Sequence, residues 1–230
     1  MSALFVTATG TEVGKTFVTC GLVRQLHGQN RPAIALKPVV SGFDPAQPET
    51  SDSGILLSAL GLPITPDHLD VMSPWRFAAP LSPDMAARRE GRTLDFDALV
   101  GFCQDKIART ERLLIEGIGG LMVPLDDRHT VLDWIEALDI PVLLVAGSYL
   151  GSLSHTLTAL EVLTTRRRSV TALVVSESAG SAVALYDTMD TLGRFISGIE
   201  MVALPQLAGG QVERTLFSRL ANLAFPHDGG

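Results

Sequence analysis

The chain has 230 residues, 46% of them hydrophobic and 19% charged, with a formal net charge of −7. That length suits one domain or at most two, here taken as a single domain over 1–230 with apolar material for a sizeable core. The acidic balance, with no extended Lys/Arg run, argues against nucleic acid as a partner.

The first apolar run, ALFVTA at 3–8, predicts a strand. After a short loop, Lys15 opens a helix over 15–27 whose Val18, Leu22, Val23 and Leu26 share one face, and Gly28 offers a stop. AIALKP (33–38) is a second strand, and the stretch 39–91 that follows is proline-rich and less regular, with a helix expected at 51–60. Further on, helices are expected at 95–109, 131–138, 152–165 and 182–196. They alternate with strands RLLIEG (112–117), PVLLVA (141–146), VTALVV (170–175) and IEMVAL (199–204). Most of these strands are almost continuously apolar, as parallel strands covered on both faces are. Strand–helix alternation implies βαβ units with right-handed crossovers. The expected fold is therefore α/β, a mostly parallel sheet with helices on both faces. The basic cluster TTRRRS (164–169) reads as a solvated helix end. Cys20 and Cys103 sit in apolar patterns, as core thiols of a reduced compartment do. No apolar run reaches about 18 residues and the N-terminus shows no charged segment with a cleavage site, so a cytoplasmic protein without a membrane partner is expected.

Between the first strand and first helix stands TATGTEVGKT, ending in Gly14-Lys15-Thr16. The common phosphate loop, G-x-x-x-x-G-K-[ST], needs a glycine at position 9, where this chain has Thr9. The placement still suits phosphate. Backbone N–H groups can turn inward, the helix dipole favours an anion, and the Lys15 ammonium reaches the outer phosphates. The Thr16 hydroxyl is then a Mg²⁺ ligand.

Other residues carry chemistry at strand ends. Lys37 ends a buried strand, where a charge is costly without an anionic partner. At the carboxyl end of that strand it faces the ligand crevice of an α/β sheet. Ser41-Gly42 is either a plain turn or a source of hydroxyl and N–H groups for a substrate. Asp52 follows Ser51 at a helix start, where capping and metal binding are both open. Glu116 ends the run RLLI, and the glycines after it allow backbone to approach phosphate or substrate. Thr16, Asp52 and Glu116 together would give Mg²⁺ three hard oxygen ligands. Gly151 precedes Ser152 and Ser154 at a helix start that either serine caps or a carboxylate occupies. His155 reads as a packing or solvated helix residue.

The loop TATGTEVGKT resembles the variant phosphate loop of dethiobiotin synthetases, G-T-x-T-x-V-G-K-T. Thr9, Thr11, Val13, Gly14, Lys15 and Thr16 match, and Ala8 stands at the first glycine. Alanine fits there only with φ below zero. LKPVVSG (36–42), Ser51-Asp52, FAAPLSP (77–83), LLIEGIGGLMVPL (113–125), YLGSLSHTLTALE (149–161) and ALPQLA (203–208) are similar to family segments in the same order. The resemblance implies ATP-dependent ring closure. 7,8-Diaminopelargonate takes up CO₂ as a carbamate, MgATP phosphorylates it, and the second amine closes a cyclic urea. It also implies a homodimer, with catalytic roles for Lys15, Lys37 and Thr11. Nucleotide contacts are implied for Glu12, Val13, Gly14, Lys15, Thr16 and Phe17, for Asp52, and for Glu116, Gly117, Ile118 and Gly119. The base is expected among Ser176, Glu177, Pro205, Gln206 and Leu207. Substrate contacts are implied for Ser41 and Ser82, whose hydroxyls with Thr11 would hydrogen-bond the carbamate, and for Gly151, Ser152, Leu153 and Ser154, where the substrate's carboxylate tail arrives across the dimer.

Several positions depart from the family. Asp84 replaces a histidine after Ser82-Pro83, Ile118 an alanine, and Ser176 an asparagine that reads adenine. Thr188 stands where some members have a tyrosine near the substrate tail, with Tyr186 close by. Ala8, Ser176 and Ile118 motivate an alternative, a nucleotide-binding module without ligase activity. A partitioning or regulatory ATPase of the same loop class would carry a signature lysine at position 10, where this chain has Gly10.

Overall fold

The computed structural model describes residues 2–206 and 214–226. Its centre is a six-stranded sheet, entirely parallel, in the order β2-β5-β1-β6-β7-β8. The strands are β1 (Ser2–Ala8), β2 (Ile34–Leu36), β5 (Arg112–Glu116), β6 (Val142–Gly147), β7 (Val170–Ser176) and β8 (Met201–Leu204). All six expected strands are present, within two residues at each end. A second, two-stranded parallel sheet pairs β3 (Val39–Ser41) with β4 (Trp75–Phe77).

Alternate residues of β1 feed opposite faces, because side chains on a strand point to opposite sides. Leu4, Val6 and Ala8 pack with α1 (Lys15–Gly28), α2 (Asp52–Ala59) and α9 (Arg214–Ala224) through Val18, Leu22, Leu56 and Phe217. Ala3 and Phe5 join the core under α5 (Phe96–Arg109), α6 (Val131–Leu138), α7 (Ser152–Thr165) and α8 (Leu185–Gly193), where Leu99, Trp134, Leu160 and Leu192 are buried. The Trp134 ring stands edge-on to Phe5 at 4.9 Å. Both faces are covered, which explains why the strands read as unbroken apolar runs.

The sequence reading is corrected in three places. The stretch 39–91 holds β3, β4, a 3-10 turn at Pro48–Thr50, α3 (Pro66–Met72) and α4 (Pro83–Arg89) besides α2. Three-residue strands are too short to show a period, although Pro66 and Pro83 at the first helical positions were readable start signals. Helix α8 spans 185–193 rather than 182–196. Helix α9 was not expected, and its Phe217, Leu220 and Ala221 are buried. The basic cluster does end a helix, with Arg166 pairing to Glu136 and Arg168 to Asp139. Cys20 and Cys103 are buried and free, and burial pushes both thiols up to about 12. No helix among the described residues is long and apolar enough to cross a membrane.

Candidate nucleotide and substrate site

The carboxyl ends of β1, β5 and β2 lie side by side, and each delivers part of one site. Ala8 closes β1 in regular strand conformation, so the alanine at the family's glycine position meets no steric barrier. The left-handed positions of the loop are Glu12 (φ 56°) and Gly14 (φ 101°). Gly14 sets the chain into α1, and a side chain there would meet the Ser176 hydroxyl at 3.2 Å. The loop after β5 presses close, since a Cβ on Gly120 would sit 3.2 Å from the Gly10 nitrogen. Glycine at 120 is what lets two backbones share this space.

Lys15 is buried and folds back on the loops, donating to the Gly119 carbonyl at 2.8 Å and the Gly10 carbonyl at 3.2 Å. Burial, with the nearby Lys37 charge, lowers its pKa to about 8. An anion in front of it would reverse that penalty. Thr16 Oγ1 lies 2.9 Å from Asp52 Oδ1 and 2.7 Å from Glu116 Oε1, and its single proton serves one of them at a time. Ser51 caps α2 by accepting from the Gly54 N–H. The capping task therefore falls to Ser51, and Asp52 is left to face Thr16 and Lys37.

Lys37, directly after β2, is 2% exposed. Its ammonium donates to Glu116 Oε1 at 2.9 Å and to the Gly117 carbonyl at 2.6 Å, and lies 3.3 Å from Asp52. Burial works against the charged form, yet Glu116 and Asp52 outweigh it and hold the pKa above the usual lysine value. Asp52 shows the mirror image. Burial opposes its ionisation, and Lys37 and the Thr16 hydroxyl overcome it, leaving the carboxyl below the usual range. Glu116 is fully buried, and its Oε2 has no partner. Hydroxyl, two carboxylates and an unshared buried lone pair are a donor set that fits a hard divalent cation. Among the described residues no group of three His, Cys, Asp or Glu could hold a metal, so this mixed set is the candidate.

Lys15, Thr16, Lys37 and Asp52 line a cavity of about 670 Å³, and Glu116 lies behind that wall, bonded to Thr16 and Lys37. Thr11, Glu12, Phe17, Ser41, Ser82, Ile118 and Gly119 also line it, as does Gly14 at the loop's end. Val13 is buried instead, so its contribution is limited to backbone. Pro80, Leu81 and Val123 complete the wall and were not singled out in the sequence. Ile118, 9% exposed, belongs both to the core cluster and to the cavity wall.

The proposed base-reading residues are close by. Ser176 ends β7 beside Gly14, and the Gln206 N–H donates to the Glu177 carboxylate at 2.7 Å, tying the ends of β7 and β8 together next to Pro205. Leu207 lies outside the described residues. Gly151, Ser152, Leu153 and Ser154 do not line the cavity. Gly151 (φ 98°) turns the chain into α7, neither serine hydroxyl caps that helix, and the Ser152 hydroxyl is buried without a partner. His155 is exposed and its ring meets the Tyr149 hydroxyl at 2.9 Å. Thr188 is buried and donates to the Ala184 carbonyl, a helix-internal role, whereas Tyr186 is exposed.

Comparison with known proteins agrees with this geometry. Residues 2–209 match a family described as an AAA domain. The chain is 49% identical to an ATP-dependent dethiobiotin synthetase of Acidiphilium cryptum, an alignment covering 85% of this chain and 89% of that one. It is 46% identical to the enzyme of the same name from Methylobacterium nodulans, with 93% and 97% covered. Among solved structures it superposes on the septum site-determining protein MinD of Pyrococcus horikoshii, complexed with Mg-ADP, at a TM-score of 0.57 and 14% identity. That match covers 98% of this chain and 96% of that one, and the MinD of Pyrococcus furiosus gives a TM-score of 0.53, also at 14% identity. Identity that low speaks for the fold alone, a parallel sheet with helices on both faces. Sequence identity near one half over most of both chains is a stronger statement: the chain belongs to the ATP-dependent dethiobiotin synthetase family.

Proposed function

We propose that this protein closes the cyclic urea of dethiobiotin from 7,8-diaminopelargonate, CO₂ and MgATP, releasing ADP and phosphate. The observation that carries the reading is the convergence of Lys15, Thr16, Lys37 and Asp52 on one cavity that also presents Ser41 and Ser82, with the buried Glu116 bonded to Thr16 and Lys37 behind it.

The chemistry brings a carbamate and a triphosphate together, so the protein's task is charge neutralisation and alignment. Backbone N–H groups from Glu12 to Phe17 at the start of α1 hold phosphate oxygens. Lys15 turns from the Gly10 and Gly119 carbonyls to the outer phosphates. Thr16, Asp52 and Glu116 would hold Mg²⁺, which would supply positive charge for the phosphoryl transfer. Lys37, released from part of its carboxylate partnership, aligns the carbamate oxygen with the γ-phosphorus and stabilises charge in transfer. Thr11 and Ser41 orient the carbamate. The carbamate oxygen takes the γ-phosphoryl group as its bond to ADP breaks; the free amine then attacks the carbonyl carbon, the C–O bond to phosphate breaks, and phosphate leaves while the amine's surplus proton is lost to phosphate or solvent. Backbone and side-chain groups from Gly117 to Gly119, and at Ser176, Glu177, Pro205 and Gln206, complete the nucleotide contacts.

Two finer points belong to the same reading. The working unit is a homodimer in which the start of α7, Gly151 to Ser154, receives the substrate's carboxylate tail in the partner's site. Support comes from its absence from the lining of the chain's own cavity, the unpartnered Ser152 hydroxyl and the exposed Leu150 just before it. The compartment is the cytoplasm, in keeping with the free buried thiols. The test is direct: purified protein with diaminopelargonate, bicarbonate and MgATP should yield dethiobiotin by mass, and ATP hydrolysis without that product would overturn the proposal.

A further inference from the structure

Ser82 opens α4, where a serine ordinarily accepts from the helix's free N–H groups, yet its side chain makes no cap here. It bonds instead to Asp84 Oδ1, at 2.5 Å. A carboxylate carries only lone pairs, so the proton in that bond belongs to Ser82. The direction of the hydroxyl is thereby set. Its hydrogen points away to Asp84, and its lone pairs are left for whatever meets it in the cavity it lines. Arg88 Nη2, at 3.3 Å, braces the other carboxylate oxygen of Asp84 from the next turn of the helix, and Asp127 stands 3.7 Å from the same guanidinium. Asp84 is itself mostly shielded, with a side chain 13% exposed.

A hydroxyl held in this direction is a poor partner for an anionic oxygen and a good one for an N–H. The same cavity is lined by the two lysines, Lys15 and Lys37, which suit the anionic half of the reactants. We infer that Ser82 and Asp84 form an amine subsite: Ser82 accepts an N–H of the substrate's uncarboxylated amine, and Asp84 is a positioning residue that sets the hydroxyl's direction and favours a nitrogen over an oxygen there. This replaces the expectation that Ser82 donates to the carbamate, and it rests on the proposed ring-closing activity.

The test is steady-state kinetics of the full chain, with the diamine and MgATP varied separately, on Ser82→Ala, Asp84→Ala, Asp84→Asn and the Ser82→Ala/Asp84→Ala double variant. A hydrogen bond involving a charged group corresponds to about tenfold or more. Ser82→Ala and Asp84→Ala should each raise KM for the diamine about tenfold while leaving KM for MgATP unchanged. The double variant should be no worse than Ser82→Ala, because Asp84 acts through Ser82. Asp84→Asn, whose amide oxygen still accepts from Ser82, should recover most of the loss. A merely structural Asp84 would lower Tm and shift both KM values together. Wild-type turnover with unchanged diamine KM in Asp84→Ala, or fully additive losses in the double variant, overturns the subsite alone. A wild type that makes no dethiobiotin overturns the functional reading and the subsite with it.

Discussion

Replacing Lys37 by glutamine tests the charge balance at the centre of the site. Lys37 is 2% exposed, and its ammonium compensates Glu116, fully buried, together with Asp52. Removing one partner of a buried ion pair costs about 3–5 kcal/mol, because the remaining charge is left in low dielectric. Glutamine can still donate to Glu116 and the Gly117 carbonyl, which places Lys37→Gln near the lower end, about 3 kcal/mol. For a chain of this size each kcal/mol moves Tm by roughly 2–4 °C, so a fall of roughly 6–12 °C is expected. Mg²⁺ should raise the variant's Tm more than the wild type's, since a cation held by Thr16, Asp52 and Glu116 replaces the missing charge. Turnover should fall about 100-fold or more, the scale of one preorganised charged donor. MgATP binding, which depends on Lys15 and the loop backbone, should change little. The assay pairs thermal melts, with and without Mg²⁺, with initial rates of dethiobiotin formation. A Tm within about 2 °C of wild type would show that Lys37 is not what holds the two carboxylates, and unchanged turnover would remove its assigned role.

Four further outcomes are expected. Lys15→Ala should lower turnover about 1,000-fold and weaken ATP binding, in contrast to Lys37→Gln, because Lys15 is the loop's outer-phosphate cation; retained ATP affinity by calorimetry would contradict that. Ser176 has one hydroxyl where an asparagine amide could bond a base edge twice, so preference for ATP over GTP or CTP should be weaker than in Ser176→Asn by about tenfold, measured as kcat/KM ratios. Unchanged ratios would mean Ser176 does not face the base. Asp133 forms the capping box of α6 with Thr130; partial burial opposes its ionisation, and hydrogen bonds from the Thr130 hydroxyl and N–H outweigh it, lowering its pKa from 3.8. A depressed carboxyl contributes stability above its unfolded pKa and loses it as pH falls through the folded value. Asp133→Asn should therefore melt below wild type at pH 6, and the gap should begin to narrow below about pH 4 and close as pH falls through the depressed folded value; a gap that stays constant into strong acid would refute the charge assignment. Light scattering at assay concentration should report a dimer, and a fully active monomer would exclude a carboxylate site shared through Gly151–Ser154.

Local pattern was enough for much of this protein. Buried parallel strands must be apolar on both faces, so β1, β2, β5, β6, β7 and β8 were legible as short apolar runs. Gly14-Lys15-Thr16 between a strand and an amphipathic helix was legible as a phosphate loop, since the requirement is itself local: a turn, inward N–H groups and a helix start. Lys37 and Glu116 stood out as charges at the ends of apolar strands, where burial demands a partner. Which partner was another matter. Lys37 meets Glu116 across 79 positions and Thr16 meets Glu116 across 100, and only the sheet order β2-β5-β1 brings them together. At Asp52 the fold assigns the cap to Ser51 and turns the Asp52 carboxylate toward Thr16 and Lys37. Strands β3 and β4, three residues each, gain their stability from pairing across the chain and leave no period to read. Asp84 looked only like a departure from a family pattern until the fold turned it onto Ser82. Tertiary structure decided these points for one physical reason: a hydrogen bond's direction and a buried charge's partner are set by neighbours in space, and spacing along the chain carries neither.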